Sequence, residues 1–237
     1  MATALHRQLG LCFQGVVDLI YPPACFLCDN WETAPKHRSF CETCLQKIAE
    51  AARPAIFVLE GENTCEHCLS AWPYDGMMDK LIPEMKYKNR PSFAHLLGEM
   101  AAGHLQEFAF RQISFLNESG DAPMLIPVPL HSRRQRERGF NQSLEIARAL
   151  GRVWKLQVAP KALRRIRFTA PQVRLGAEER ANNVAGAFAV RSAVIVQGRT
   201  IILADDVITT GSTIHACAKA LKEAGARAVM AVSLAKA

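Results

Sequence analysis

The sequence predicts an α/β protein, a parallel sheet filling most of the chain behind a small metal-stapled N-terminal module. Three observations predict it. From about residue 120 onward, apolar runs of strand length alternate with amphipathic helices, the order that builds parallel sheets. Six of the eight cysteines fall between Cys25 and Cys68, a stretch without long periodic segments. The 237 residues, set against ~150 for a typical domain, leave room for one well-cored domain and an appendage. Composition excludes other classes: 49% apolar and 22% charged residues are globular proportions. No apolar run approaches the ~20 residues of a membrane span, and no cleavable signal pattern is visible. A cytoplasmic location is therefore expected, where close cysteine pairs serve metal or redox chemistry more than disulfides.

Residues 1–22 read as an N-terminal amphipathic helix, with Leu5, Leu9, Phe13, Val16, Val17 and Ile20 on one side and Pro22 and Pro23 ending it. Residues 23–73 form the cysteine module and 74–237 the α/β domain. In that domain, residues 77–87 and 93–110 read as helices, with Pro83 forcing a kink or a late start in the first. Residues 124–128 are a short strand closed by Pro127 and Pro129, and residues 142–154 a helix capped by Asn141. Strands follow at 187–190, 200–204 and 228–232, with a helix over 212–224 that Gly225 ends.

Cys25-x2-Cys28, twelve residues, then Cys41-x2-Cys44 is the spacing of two knuckles that present four thiolates to one structural Zn2+. A third knuckle, Cys65-x2-Cys68, has no obvious fourth partner. It completes a second site with His67 or His37, displaces one of the first pairs, or stays a reduced dithiol. Cys12 and Cys217 stand alone and read as small core residues. The module's place suits it to organising an interface or a DNA contact.

The sharpest motif runs from Ile201 through Asp205 and Asp206 to Thr209, Thr210, Gly211, Ser212 and Thr213. It reads strand, loop, helix, with the two acids stopping the burial at the strand's carboxyl end. Free backbone N–H groups, the helix dipole and the hydroxyls suit a 5'-phosphate, and Gly211 lets the backbone approach. The adjacent carboxylates suit two vicinal ribose hydroxyls, directly or through Mg2+. A P-loop is excluded by the missing Gly-Lys-Ser/Thr ending, and a Rossmann fingerprint by the single glycine. The motif resembles the phosphoribosyl pyrophosphate (PRPP) site of type I phosphoribosyltransferases.

The net charge of +7 is local: residues 131–180 hold thirteen Lys or Arg against four Asp or Glu, leaving the other 187 residues at −2. Such a stretch meets a polyanion or forms a solvated basic face. Arg133, Arg134, Arg136 and Arg138 cannot share a core and must face water or an anion, while Phe140 either stacks on a base or packs the loop.

Tyr21-Pro22-Pro23, Met85-Lys86-Tyr87, Pro127-Val128-Pro129-Leu130, Arg138-Gly139-Phe140-Asn141-Gln142, the stretch 172–188 and Asp205 to Thr213 together resemble the ComF family of competence proteins, which includes GntX. The resemblance implies a type I phosphoribosyltransferase-like sheet behind a zinc-ribbon module. It implies a cytoplasmic role in natural transformation, handling incoming single-stranded DNA, with the DNA-import machinery at the inner membrane as a partner. Asp205 and Asp206 would hold ribose hydroxyls or Mg2+ and act in any catalysis. Thr209 to Thr213 would hold the 5'-phosphate, and Arg133, Arg136 and Arg138 would cover pyrophosphate or meet DNA. Many relatives carry four C-x-x-C knuckles and this chain three.

Three functions compete: a DNA-uptake protein that keeps a PRPP/Mg2+ pocket, an active transferase moving ribose 5-phosphate from PRPP to a nucleobase-like acceptor, and a PRPP sensor. No acceptor-recognition segment is identifiable in the sequence, and fold analogy does not decide activity.

Overall fold

A computed structural model of the chain describes residues 24–31, 33–34, 39–60, 64–88, 90–116, 122–167, 184 and 186–237. The expected helix over 5–20, Cys12, His37 and most of the stretch 172–188 lie outside the described residues. The chain divides into two compact units, one up to Ala51 and one from Ala52 onward. Among the described residues no helix is long and apolar enough to cross a membrane.

The described residues of the first unit are built around a cysteine turn and the helix α1 (Glu42–Glu50), which buries Cys44 and Ile48. Asp29 adopts φ +56° and its N–H returns to Cys25 O at 2.8 Å, closing the first knuckle. Phe26 and Phe40 meet edge to face at 6.5 Å, a small apolar floor beneath the turn.

In the second unit, β1 (Ala55–Phe57) and β2 (His67–Pro73) precede two helices, α2 (Met78–Tyr87) and α3 (Pro91–Leu116). Then come β3 (Met124–Pro127), α4 (Ser132–Arg138), α5 (Gln142–Trp154), β4 (Gln157–Val158) and β5 (Leu163–Arg165). The last elements are β6 (Phe188–Val190), α6 (Ala193–Val196), β7 (Thr200–Ile208), α7 (Ser212–Glu223) and β8 (Ala228–Lys236). Six strands form one sheet in the order β1-β2-β8-β7-β3-β4, all parallel along the chain of neighbours except β1, which runs antiparallel to β2. β5 and β6 pair as a separate antiparallel ribbon.

Alternation along the strands divides the core. Ile126, Ile201, Leu203, Val229 and Ala231 join Ile214, Cys217, Ala218 and Leu221 of α7 and Phe188 of the ribbon. On the other face α3 and α5 pack on one another and on the sheet. Their approach is close: a Cβ at Gly98 would stand 2.8 Å from Ala149 Cβ and 3.2 Å from Ile146 Cα, so only glycine fits there unmoved.

Several expectations need correction. Residues 55–57 and 67–73, expected in the cysteine module, pair instead with the main sheet, β2 lying parallel to β8 from His67↔Met230 to Pro73↔Lys236. Their burial on both faces (Leu69 to Trp72) is what a strand inside a sheet needs. Helix α2 runs continuously through Pro83, and α3 extends beyond 93–110 at both ends. β7 does not stop at Ala204; it continues through both acids to Ile208, and Asp205 and Asp206 are buried.

Candidate functional site

The site follows from a mismatch in strand length. β3 and β7 pair from Met124↔Ile201 to Pro127↔Ala204, and Val128 N–H adds one bond to Ala204 O at 2.9 Å. β3 itself ends at Pro127. β7 continues along β8 as far as Ile208↔Lys236. Beyond Ala204 the edge of β7 that faced β3 is open. The chain leaves β3 outward to β4 and leaves β7 the other way to β8. Carboxyl ends of strands at such a switch point are where α/β sheets bind ligands. A cavity of about 630 Å³ occupies this place, lined by Asp205, Asp206, Lys86, Arg134, Arg138, Arg165, Thr209 and Thr213 among others.

Asp205 Oδ1 accepts from Ser143 Oγ at 2.9 Å and from the N–H of Asp206 at 2.9 Å. Ser143 is held at the start of α5, where Asn141 accepts its N–H at 3.1 Å and donates from Nδ2 to Val128 O at 3.1 Å. Burial, helped by the neighbouring Asp206, pushes the Asp205 carboxyl up to about 7. Asp206 Oδ1 pairs with Lys86 Nζ at 2.8 Å. Burial works to discharge that lysine, but the Asp206 and Asp205 carboxylates outweigh it and hold Lys86 above its ordinary range. Asp206 Oδ2 is buried without a hydrogen-bond partner among the described residues, an acceptor with capacity left for a ligand.

Positive charge gathers in the same cavity. α4 opens where the His131 ring accepts the N–H of Arg133 at 3.3 Å and closes at Gly139, φ +81°. In a helix, positions four apart share a face. Arg134 and Arg138 both line the cavity, with Arg165 from β5. Arg133 turns to Glu137 at 3.0 Å in water, and Arg136 is exposed. Burial lowers the pKa of Arg134 and Arg165; Arg138 repels the first and Arg134 the second. Three guanidiniums under mutual repulsion are relieved by a multivalent anion.

The loop after β7 meets the expectation only in part. Thr209 and Thr213 line the cavity, whereas Thr210 and Ser212 bond to one another, hydroxyl to hydroxyl, at 2.9 Å. Gly211 caps α7 with φ +77°. Its missing Cβ accommodates Leu59, whose Cδ2 would lie 2.5 Å from one, so the close approach here is made by a side chain of the same unit.

In the first unit the thiols of Cys25, Cys28, Cys41 and Cys44 all lie within 4.8 Å of one another, Cys28 and Cys41 at 3.6 Å. That is far beyond the ~2.05 Å of a disulfide and near the ~3.8 Å edge of a tetrahedron with ~2.3 Å Zn–S bonds. Against the effect of burial, the backbone N–H groups of Cys41, Leu27 and Cys28 bring Cys25 down to about 6. The four-cysteine cluster fits a structural zinc ion, as in a zinc ribbon. Cys65 and Cys68 belong to the core of the second unit, their sulfurs 3.8 Å apart. No third ligand joins them among the described residues. The neighbouring Cys68 thiol and burial raise the Cys65 thiol far above its ordinary value, which keeps it protonated.

The sequence is similar to those of known proteins. A family model described as a phosphoribosyl transferase domain matches residues 147–237. The DNA utilization protein YhgH of Salmonella typhimurium is 31% identical over 229 residues, covering 89% of this chain and 96% of that protein. Competence protein F of Haemophilus influenzae is 27% identical over 212 residues, covering 89% and 90%. The chain belongs to the ComF family. Competence protein ComFC of Bacillus subtilis is a partial match, 32% identical over 108 residues, 43% of this chain and 39% of that one. This ComF-family chain is thus a competence-related protein with a phosphoribosyltransferase-like domain, of mixed α/β fold with a mostly parallel sheet.

The ComF cavity brings together Asp205, Asp206, Thr209, Thr213 and Arg138 of the residues singled out in sequence. It leaves Arg133 and Arg136 outside and substitutes Arg134 and Arg165. Sequence reasoning misses Lys86 and Ser143 as site residues. Lys86 stands in a family-like tripeptide that carries no role of its own, and its pairing with Asp206, 120 positions away, has no local signal.

Proposed function

We propose that this protein binds PRPP with Mg2+ in the cavity at the β3/β7 switch point and serves natural transformation by handling incoming single-stranded DNA in the cytoplasm. The observation that carries the reading is one cavity lined by a carboxylate pair together with Arg134, Arg138 and Arg165. Asp205 and Asp206 suit ribose hydroxyls. The partnerless Asp206 Oδ2 suits a hard divalent cation, which when bound would neutralise pyrophosphate charge. Arg134, Arg138 and Arg165 suit the pyrophosphate, and Thr209 and Thr213 the 5'-phosphate. The DNA role draws support from relatives named for competence and DNA utilization, and from the exposed Arg133 and Arg136.

The same cavity supports a second reading, an active transferase to a nucleobase-like acceptor. As the C1–O bond to pyrophosphate loosens, charge grows on the leaving group, and that is what clustered guanidiniums stabilise. Calorimetric titration with PRPP and Mg2+ tests the shared premise. The wild type is expected to bind, and the Asp205→Asn, Asp206→Asn double variant to lose binding. Binding retained in the variant removes these carboxylates as ligands, and no binding to the wild type removes the pocket assignment.

A further inference from the structure

Tyr87 ends α2, next to Lys86, and borders the cavity, yet its residue surface is 71% exposed. It is held in place without being buried. The Arg138 guanidinium lies over the ring, Cζ 5.6 Å from the centroid. Arg138 in turn donates from Nη1 to Gln142 Oε1 at 2.6 Å, and Gln142 is buried at the first turn of α5. A tyrosine recruited for packing would be shielded from water. One presented to solvent with a guanidinium behind it is a flat apolar surface of fixed orientation. Tyr74, Pro129 and Leu130 line the same cavity and add apolar surface to it.

We propose that Tyr87, backed by Arg138, is a stacking shelf for a single unpaired nucleobase. The π-face of a base matches the open part of the ring, and sequence-tolerant aromatic stacking is how unpaired bases are held elsewhere. The inference rests on the reading of the cavity as a ribose-phosphate site, since base and sugar phosphate would then share one chamber. A base presented singly has two sources, a free acceptor base or an unpaired strand of DNA, and the shelf's chemistry is common to both.

The test titrates the full-length wild type, Tyr87→Phe and Tyr87→Ala with free nucleobases, with single-stranded oligothymidylate and with an abasic strand of equal length. Stacking predicts that Tyr87→Ala weakens base-bearing ligands about tenfold or more. Tyr87→Phe should retain binding, and the abasic strand should not distinguish the three proteins. Loss confined to free bases assigns the shelf to an acceptor, and loss confined to the oligonucleotide assigns it to DNA. Equal binding by Tyr87→Ala and wild type, equal weakening on the abasic strand, or no base-bearing ligand bound by the wild type each overturns the proposal. A separate PRPP titration of the wild type keeps failure of the pocket distinguishable from failure of the shelf.

Discussion

Burial beside Asp206 pushes the Asp205 carboxyl up to about 7, and this has a thermodynamic consequence. Its carboxyl titrates near 7 in the folded chain because it is buried beside Asp206, against ~3.9 when unfolded. Between those values the folded state holds more protons than the unfolded one, so this group's contribution to stability falls as pH rises from about 4 to about 7. Asp205→Asn removes the titration while keeping an oxygen for Ser143. The variant should gain in melting temperature relative to wild type on going from pH 5 to pH 8, reflecting a few kcal/mol at most. A pH-independent difference between the two proteins would refute the buried, protonated carboxyl. The acid pair was legible as a motif. That both acids would be buried was not, because their burial depends on Ser143 and Lys86 arriving from α5 and α2.

Among the elements, α4 shows how a charge run acquires faces. Read as a string, its four arginines are equivalent; wound into a helix, Arg134 and Arg138 face the cavity and Arg133 and Arg136 do not. Two phenotypes should separate. Arg133→Gln with Arg136→Gln should flatten the salt dependence of single-stranded DNA binding by ~0.7 log–log units for each phosphate no longer neutralised, with PRPP affinity kept. Arg134→Gln with Arg165→Gln should weaken PRPP about tenfold or more. Measuring both ligands on both variants decides it, and identical behaviour of the two pairs would show that the helix does not divide the work. Helix α5 with its Asn141 cap was readable to the residue because the cap is local chemistry. β1, β2 and β5 were not, since each depends on a distant partner for its pairing or burial.

At the scale of the whole chain, the two compact units draw on different physics. The sheet unit rests on burial of apolar side chains on both faces of its strands. The unit ending at Ala51 has a small apolar core and four gathered thiols, and a metal bound there would contribute directly to folding. Purified protein should hold about one zinc ion per chain by elemental analysis, lost on Cys25→Ser, whereas Cys65→Ser should keep it. A folded protein free of metal, or zinc lost equally in both variants, would contradict the assignment. The C-x-x-C spacing made the four-cysteine cluster readable from sequence alone. The same spacing left Cys65 and Cys68 open between a metal site and a reduced dithiol, and only the fold places their sulfurs in the core at the start of β2.

The unequal lengths of β3 and β7 also set the mechanics of the cavity. The tip bearing the acids is tied along β8 to its last residue, so it behaves as an anvil. The arginines sit instead on a helix with no buried residue and on a two-stranded ribbon outside the main sheet. Whatever yields to an incoming ligand would lie on that side, within the limit set by Arg138's bond to the buried Gln142, while the aspartates stay tied to β8.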